Sequence, residues 1–470
     1  MLPFLAAIPP SARDVCARLR EVGHRAWVVG GCVRDLLRGA PVSDWDICTS
    51  ARPKDVQRAF RHVIPTGIQH GTVTVRVPDG GAPGGFSNYE VTTLRGETTY
   101  TDGRHPDAVV FVDDIVSDLA RRDFTINAIA LDPLDATIVD PFDGRGDLER
   151  KVLRAVGKPE ERFAEDGLRV LRAARFVASL EVELDPATAA AIRPSLDTFR
   201  KVSAERVRDE WVKALKARHP SRAFEVMRTH GLLEVTAPEL LAQFGCEQNH
   251  YHRYDVWGHA MACADSSVGD PILRLAALLH DIGKPATRAM SDKTNDYTFY
   301  DHERVGAELA EPILARLRFS NDERARVTHL VRHHLVCYEP TWTDAAVRRW
   351  VRRIGHERLD DLYALNEADV RGKDLDAEAE LTPLRELQAR VSTMLARHDA
   401  LSVRDLAIGG NDLMTRLGLS PGPRVGMLLD RLLDEVIEEP SKNEAALLLA
   451  RGAELLPEVP DQKPRRGTKG

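Results

Sequence analysis

Strand-type patterning stops near residue 150 of this 470-residue chain, and from there on the apolar residues recur at helical spacing. Before that point, short β-branched runs alternate with turn signals. Trp27-Val28-Val29, Thr72 to Val77, Tyr89 to Thr93 and Ala108 to Val112 read as strands. Ser11 to Gly23 and Pro53 to Arg61 read as helices, the second opened by a proline in its first turn. The loop Pro78 to Asn88, with four glycines and two prolines, reads as a surface excursion. Beyond residue 151, Phe163, Leu168, Leu171, Ala174 and Val177, then Val207, Trp211, Ala214 and Leu215, follow a period near 3.6. The fold class is therefore expected to be α+β. An α/β head spans 1–150, a helical neck 151–235, a helical body 236–395 and a helical tail 396–460, with a disordered basic segment over 461–470.

Composition narrows the function classes. No run approaches the ~20 apolar residues of a membrane span, and the N-terminus lacks a signal-peptide pattern, so no membrane partner and a cytoplasmic location are expected. Six cysteines stand singly with no CxxC pair, which argues against a zinc ribbon or a disulfide framework and for buried or half-buried free thiols. A net charge of −7 gives no global nucleic-acid signature, but phosphate contact needs only a local basic face. Such faces are expected at 150–230 and in Lys463-Pro464-Arg465-Arg466.

Two clusters in the head carry chemistry. In Val29-Gly30-Gly31-Cys32-Val33-Arg34-Asp35, a strand runs into paired glycines, where backbone N–H groups can approach a phosphate unobstructed by a Cβ. The helix that follows adds its positive end, and Arg34 can reach a triphosphate oxygen. A few residues on, Asp44 and Asp46 flank Trp45; at i and i+2 of a strand both carboxylates share a face. Two such charges repel unless a cation lies between them, and nucleotidyl transfer uses cations in that position. In the neck, Asp166, Arg169 and Arg172 fall at i, i+3 and i+6 of one expected helix through Glu165–Arg175, with Arg175 drifting round from their face. In the body, Leu278-Leu279-His280-Asp281-Ile282-Gly283-Lys284 ends an apolar helix on adjacent His and Asp, which can bind one metal or bridge two.

The segment Gly30 to Gly39 with Asp44-Trp45-Asp46 resembles the first motif of class II tRNA nucleotidyltransferases and bacterial poly(A) polymerases, within the polymerase-β-like superfamily. The resemblance implies that Asp44 and Asp46 hold Mg²⁺ and that Gly31 and Arg34 contact the triphosphate. It makes Glu90, in Tyr89 to Arg95, an additional catalytic carboxylate. Arg121-Arg122-Asp123-Phe124-Thr125-Ile126-Asn127-Ala128 is similar to the ribose-recognition motif, with Arg122 on the nucleotide and Asp123 on the sugar hydroxyl. Asp166 and Arg169 would pair with the Watson–Crick edge of CTP or ATP, and Arg172 and Arg175 would hold base or phosphate. Glu205-Arg206-Val207 resembles a later neck motif without an assigned role. Asp102 to Asp107 resembles the flexible loop that enzymes adding the terminal A possess.

The body resembles the HD superfamily of metal-dependent phosphohydrolases. That resemblance implies a site of His259, His280, Asp281, His302 and Asp369, with His333 or His334 as a further ligand and a second divalent metal such as Ni or Mn as cofactor. Ile408 to Leu413 and Leu419 to Gly426 resemble the C-terminal segment of CCA-adding enzymes, where they suit an RNA backbone surface or a structural cap. The implied function is addition of C, C and A from CTP and ATP to the 3′ end of tRNA, releasing pyrophosphate. Phosphohydrolase action on 2′-, 3′- or 2′,3′-cyclic phosphates would accompany it. The alternatives are a poly(A) polymerase or an enzyme adding A only; Thr66 to Val73 resembles the CCA-adding version of that segment. Monomer and homodimer both stay open.

Overall fold

The structure is a computed structural model and describes residues 3–96, 110–250, 253–373 and 377–460. Its contacts divide the chain into two compact units, one of Met1–Leu241 with Pro312–Ser320, the other of Ala242–Glu311 with Asn321–Gly470. The expected head and neck thus share the first unit.

A seven-stranded mixed sheet forms the head: β1 (Ala26–Val29), β2 (Asp46–Thr49), β3 (Val63–Gly67), β4 (Thr72–Pro78), β5 (Phe86–Thr93), β6 (Ala130–Leu131) and β7 (Ile138–Val139), in the order β3-β4-β5-β2-β1-β6-β7. β2 and β5 run parallel, and the other neighbours are antiparallel. Every residue of β1 is buried, because both faces of the sheet are covered. Ala26 and Val28 pack with Val15, Leu19, Val33, Ile47, Val73 and Val91 on one face. Trp27 and Val29 pack with Leu94, Leu119, Ala128 and Val156 on the other. Alternation along the strand accounts for the division.

The expected strands and helices of the head are present within a few residues, except Ala108 to Val112. Its first two residues lie outside the described residues, and Phe111 makes only an isolated bridge to Arg95. β3 carries no apolar alternation, since its middle residues are exposed; β6 and β7 span two residues each. Helices dominate beyond residue 151, with two short strand pairs, Val152–Leu153 beside Glu183–Leu184 and Ala289–Ser291 beside Asp296–Thr298.

In the first unit, helix Leu168–Leu180 buries its apolar residues, and Trp211 meets Phe224 edge-to-face at 5.1 Å. In the second, helix Pro271–Leu279 is buried along nearly its whole length, and Leu413, Leu428, Leu432, Val436 and Leu448 share a separate core. Among the described residues no helix is long and apolar enough to cross a membrane. Five of the cysteines are buried free thiols, while Cys337 is exposed, so the expected burial fails there.

Candidate active site

β1 ends at Val29, and Gly30 turns the chain with φ 79° into helix Gly31–Leu37. A Cβ at Gly30 would stand 2.7 Å from Arg122 Nη1, so glycine is required by both conformation and space. Arg34 donates to Asn127 Oδ1 (2.7 Å) and, through Nε and Nη2, to Asp35 (2.9 and 2.7 Å). Neither Gly31 nor Arg34 is among the residues that line the adjoining cavity.

The carboxylates sit differently from the expected strand pair. β2 begins at Asp46, so Asp44 lies in the preceding loop rather than two residues back on the strand. Pairing of β2 with β5 sets Asp46 opposite Glu90, and Asp44, Asp46 and Glu90 line one cavity of about 550 Å³. Burial first, then Glu90 and Asp44, raise the Asp46 carboxyl above its ordinary range against the pull of Arg122. A cation among the three would relieve that repulsion, so these residues fit Mg²⁺.

Asp46 and Glu90 also line a second cavity of about 430 Å³, whose other walls include Arg121, Arg122, Asp123, Asp166, Arg169, Arg172 and Arg206. Buried Asp118 organises the first two arginines: it accepts from Arg121 Nη2 at 2.5 Å and from Arg122 Nη2 at 3.3 Å. Arg122 Nε is buried with no hydrogen-bond partner. Asp123 accepts from Asn127 Nδ2 (3.0 Å) and from Arg172 Nε and Nη2 (2.9 and 2.6 Å). Against burial, Arg172 and Asn127 hold its carboxyl well below the usual range.

The single neck helix expected through Glu165–Arg175 is broken. One helix, Pro159–Glu165, ends before Asp166, and the next begins at Leu168. The break lies at Asp166, whose backbone is extended (φ −140°, ψ 105°), and beside it Gly167 packs so closely that a Cβ would stand 2.6 Å from the Thr198 carbonyl oxygen. Asp166 is therefore presented from the gap. Its Oδ1 accepts from Leu168 N (3.0 Å) and its Oδ2 from Arg206 Nη2 (2.7 Å). Arg169 donates to Arg162 O (2.8 Å), Glu165 Oε2 (2.5 Å) and Arg121 O (2.8 Å). Arg175 pairs with buried Glu210 and covers Phe176 at 3.8 Å, a ring that Arg172 also faces, and it is not among the residues lining the cavity. Arg206, to which the sequence assigned no role, stands on the cavity beside Asp166; two loops and forty residues of separation hid that pairing. Asp102 to Asp107 and Lys463 to Arg466 lie outside the described residues.

In the second unit, His259, His280, Asp281, His302 and Asp369 do converge, and His334 joins them rather than His333. His333 packs against His329 instead, with ring centroids 4.6 Å apart and planes tilted by 52°. His259 Nε2 lies 3.0 Å from Asp369 Oδ1, and His280 Nε2 3.1 Å from Asp281 Oδ2. His280 Nε2 is buried with no hydrogen-bond partner although two carboxylates face it, which suits a metal ligand. Lys284 Nζ stands 2.6 Å from Asp281 Oδ2. Burial first, then His280, lower the His334 imidazole to about 3, so it is neutral and able to ligate.

Residues 26–154 match the Poly A polymerase head domain, 181–244 the "Probable RNA and SrmB- binding site of polymerase A", and 300–451 a tRNA nucleotidyltransferase domain 2. The chain is similar to the CCA-adding enzyme of Lactobacillus johnsonii, 34% identical over 453 residues that cover 94% of this chain and 96% of that one. The CCA-adding enzyme of Lactobacillus gasseri is 46% identical over 231 residues, 49% of this chain and 55% of that one. Among solved structures, the CCA-adding enzyme of Bacillus stearothermophilus in complex with CTP superposes with a TM-score of 0.71 at 28% identity, covering 98% of this chain and all (100%) of that one. The Thermotoga maritima CCA-adding enzyme complexed with tRNA shares the fold, with a TM-score of 0.54 at 18% identity over 96% of this chain and 98% of that one.

Proposed function

The chain belongs to the family of CCA-adding enzymes, and on that premise we propose that it adds C, C and A from CTP and ATP to the 3′ end of tRNA in the cytoplasm, releasing pyrophosphate and using no nucleic-acid template. The observation that carries this reading is the shared wall of Asp46 and Glu90 between two cavities. One, rimmed by arginines, suits a nucleoside triphosphate; the other, beside Asp44, suits the incoming tRNA terminus.

The tRNA 3′-hydroxyl attacks the α-phosphorus of the bound nucleotide in line with departing pyrophosphate. Asp44 and Asp46, with Glu90 beside them, would hold Mg²⁺, which offsets the charge gathering between the attacking oxygen and the triphosphate. Arg122 lines the cavity with its guanidinium held by Asp118, and it would contact the bound nucleotide from there. Asp123 accepts from the ribose hydroxyl, with Arg172 and Asn127 keeping it ionised. Gly31 opens the helix after the turn, and Arg34, bonded to Asn127 and Asp35, would reach the triphosphate.

Base choice falls to Asp166 and Arg169. A carboxylate has about four acceptor sites and a guanidinium five N–H donors, so each retains capacity after its internal bonds and can meet a base edge. Arg172 assists at the cavity wall, and Arg175, paired with Glu210, covers Phe176 beside it. The test is to offer tRNA ending before its CCA with CTP and ATP and to sequence the products. Terminal CCA supports the reading; open-ended A tails indicate a poly(A) polymerase, and a single added A an A-adding enzyme.

The body supports a second activity, carried by the orphaned His280 Nε2 among two carboxylates. It is read as an HD-type phosphohydrolase site in which His259, His280, Asp281 and Asp369, with His302 close by, would hold a divalent metal such as Ni²⁺ or Mn²⁺. Such an ion supplies charge that polarises a phosphate. A 2′,3′-cyclic phosphate at a tRNA end is the proposed substrate. Its hydrolysis by the wild type, and its persistence with His280→Ala, test this activity.

A further inference from the structure

Helix Asp344–Ile354 buries Val347, Arg348, Trp350, Val351 and Ile354, while Arg349 and Arg353 are exposed. Trp342, just before the helix, is followed by Ala346, Trp350 and Arg353 at steps of three or four residues, so the four share one stripe. Ala346 is its small member. Over it opens a cavity of about 360 Å³, lined by Trp342, Ala346, Arg349, Trp350 and Arg353. That volume lies in the range of small-ligand sites. Each tryptophan is braced by a second ring. Trp342 meets Tyr338 edge-to-face at 5.5 Å, and Trp350 stacks on Tyr363 at 6.2 Å with planes 24° apart. Trp350 is buried, whereas Trp342 is only half-buried and offers ring surface to the recess.

Charge sets this recess apart. Carboxylates line both head cavities and the histidine–aspartate cavity, but none lines this one. Three arginines of the helix are engaged, Arg348 by Asp399, Arg349 by Glu438 and Arg352 by Asp434. Arg353 and exposed Arg332 make no ion pair among the described residues. Both lie near His333. Burial first, then His329, Arg353 and Arg332, lower its imidazole to about 4, so the ring stays neutral beside two uncompensated guanidiniums.

An anion carrying a flat ring answers both features, since bases stack on aromatic and guanidinium planes while phosphate meets arginine. An acidic peptide would answer the charge alone, and a divalent cation would find no carboxylate. We propose that the recess is an RNA subsite that takes one unpaired nucleotide, its base stacked on Trp342 over Ala346 and its phosphate at Arg353. It is separate from the nucleotide-adding and histidine–aspartate sites, and it rests on RNA being the substrate rather than on which nucleotides the head adds.

The experiment titrates fluorescently labelled tRNA lacking its CCA with the full chain, by anisotropy, at several salt concentrations. Ala346→Leu fills the recess and keeps every charge; Trp342→Leu removes the platform. Each should weaken binding about 5- to 100-fold, the effect of losing one base–aromatic stack. Trp342→Phe should retain most of the affinity, and Arg353→Gln should lower the salt slope by about one phosphate contact. A blunt, fully paired RNA duplex offers no free base, so wild type and Trp342→Leu should bind it equally. Wild-type affinity for the tRNA in both Trp342→Leu and Ala346→Leu overturns the subsite and leaves the recess to a protein partner. Equal losses on tRNA and duplex overturn the base pocket in favour of a backbone contact. An unchanged circular dichroism spectrum and an unchanged kcat at saturating tRNA show that the variants fold. Binding is read without extension, so a wild type that binds tRNA yet adds no CCA sinks the reading of the head alone.

Discussion

Asp46 and Glu90 stand directly opposite one another across the parallel pairing of β2 with β5, and together they form the wall common to the two head cavities. Their closeness adds to the burial that raises the Asp46 carboxyl, and the same crowding gives a cation its place. Glu90→Gln should keep this wall intact while removing one negative charge. The expected result is a higher Mg²⁺ requirement for nucleotide addition and a rate lower by about 100- to 1,000-fold, of the size of one removed electrostatic contact. Titration of activity against Mg²⁺ checks it; an unchanged requirement would place Glu90 outside the ion site.

Arg206 is expected to act through Asp166. Removing it with Arg206→Met deletes the 2.7 Å bond to Asp166 Oδ2 and leaves the carboxylate free to turn. Discrimination of CTP and ATP against UTP and GTP should relax about 10-fold, near the low end of one bidentate base contact. Asp166→Ala should relax it similarly, and the double variant should be no worse than Asp166→Ala. Kinetics with each nucleotide separate this from a general loss of activity, which would lower kcat for all four alike.

Gly167→Ala tests the helix break. The added methyl would meet the Thr198 carbonyl oxygen at 2.6 Å, and the backbone there has no side chain to yield. A loss of about 1–3 kcal/mol is expected, the usual cost of overpacking. A lowered denaturation midpoint with reduced nucleotide affinity checks it. Wild-type stability would mean that the Thr198 backbone gives way to the added methyl.

Acid should act on the first unit through Asp123. Its folded pKa is depressed, with Arg172 and Asn127 outweighing burial, so its stabilisation is complete above the unfolded value of about 3.9 and is lost as pH falls through the lower folded value. Asp123→Asn should therefore be much less stable than wild type at pH 7, by about 3 kcal/mol because Arg172 loses its buried partner. The gap should narrow as pH drops below about 4. Denaturant midpoints between pH 3 and 7 measure it; a gap that stays constant into acid contradicts the depressed pKa.

Much of the head was legible because its signals are local. The Gly30-Gly31 turn, the run from Arg121 to Asn127 and the apolar alternation of β1 each depend on residues close in sequence. What escaped depends on contacts between distant segments. Asp166 to Arg175 has helical periodicity, and nothing in it marks the extended backbone that Asp166 adopts. β3 carries no apolar alternation because it is an exposed edge, so its pairing with β4 left no pattern to read. His333 and His334 are equivalent as neighbours in a list. The helix Asn321–His333 ends between them, and that end turns only His334 inward. Arg34 and Arg175 read as phosphate contacts by residue type, and the sequence does not show that Asp35 with Asn127, and Glu210, respectively, engage them.

The most direct test of the head's role is extension of tRNA lacking its CCA by wild type and by Asp46→Asn, which preserves side-chain shape and removes the charge. Wild type with CTP, ATP and Mg²⁺ is expected to yield tRNA ending in CCA. Asp46→Asn, folded as judged by circular dichroism, should extend it on the order of 10³-fold more slowly or not at all. Extension by Asp46→Asn at the wild-type rate would contradict the account.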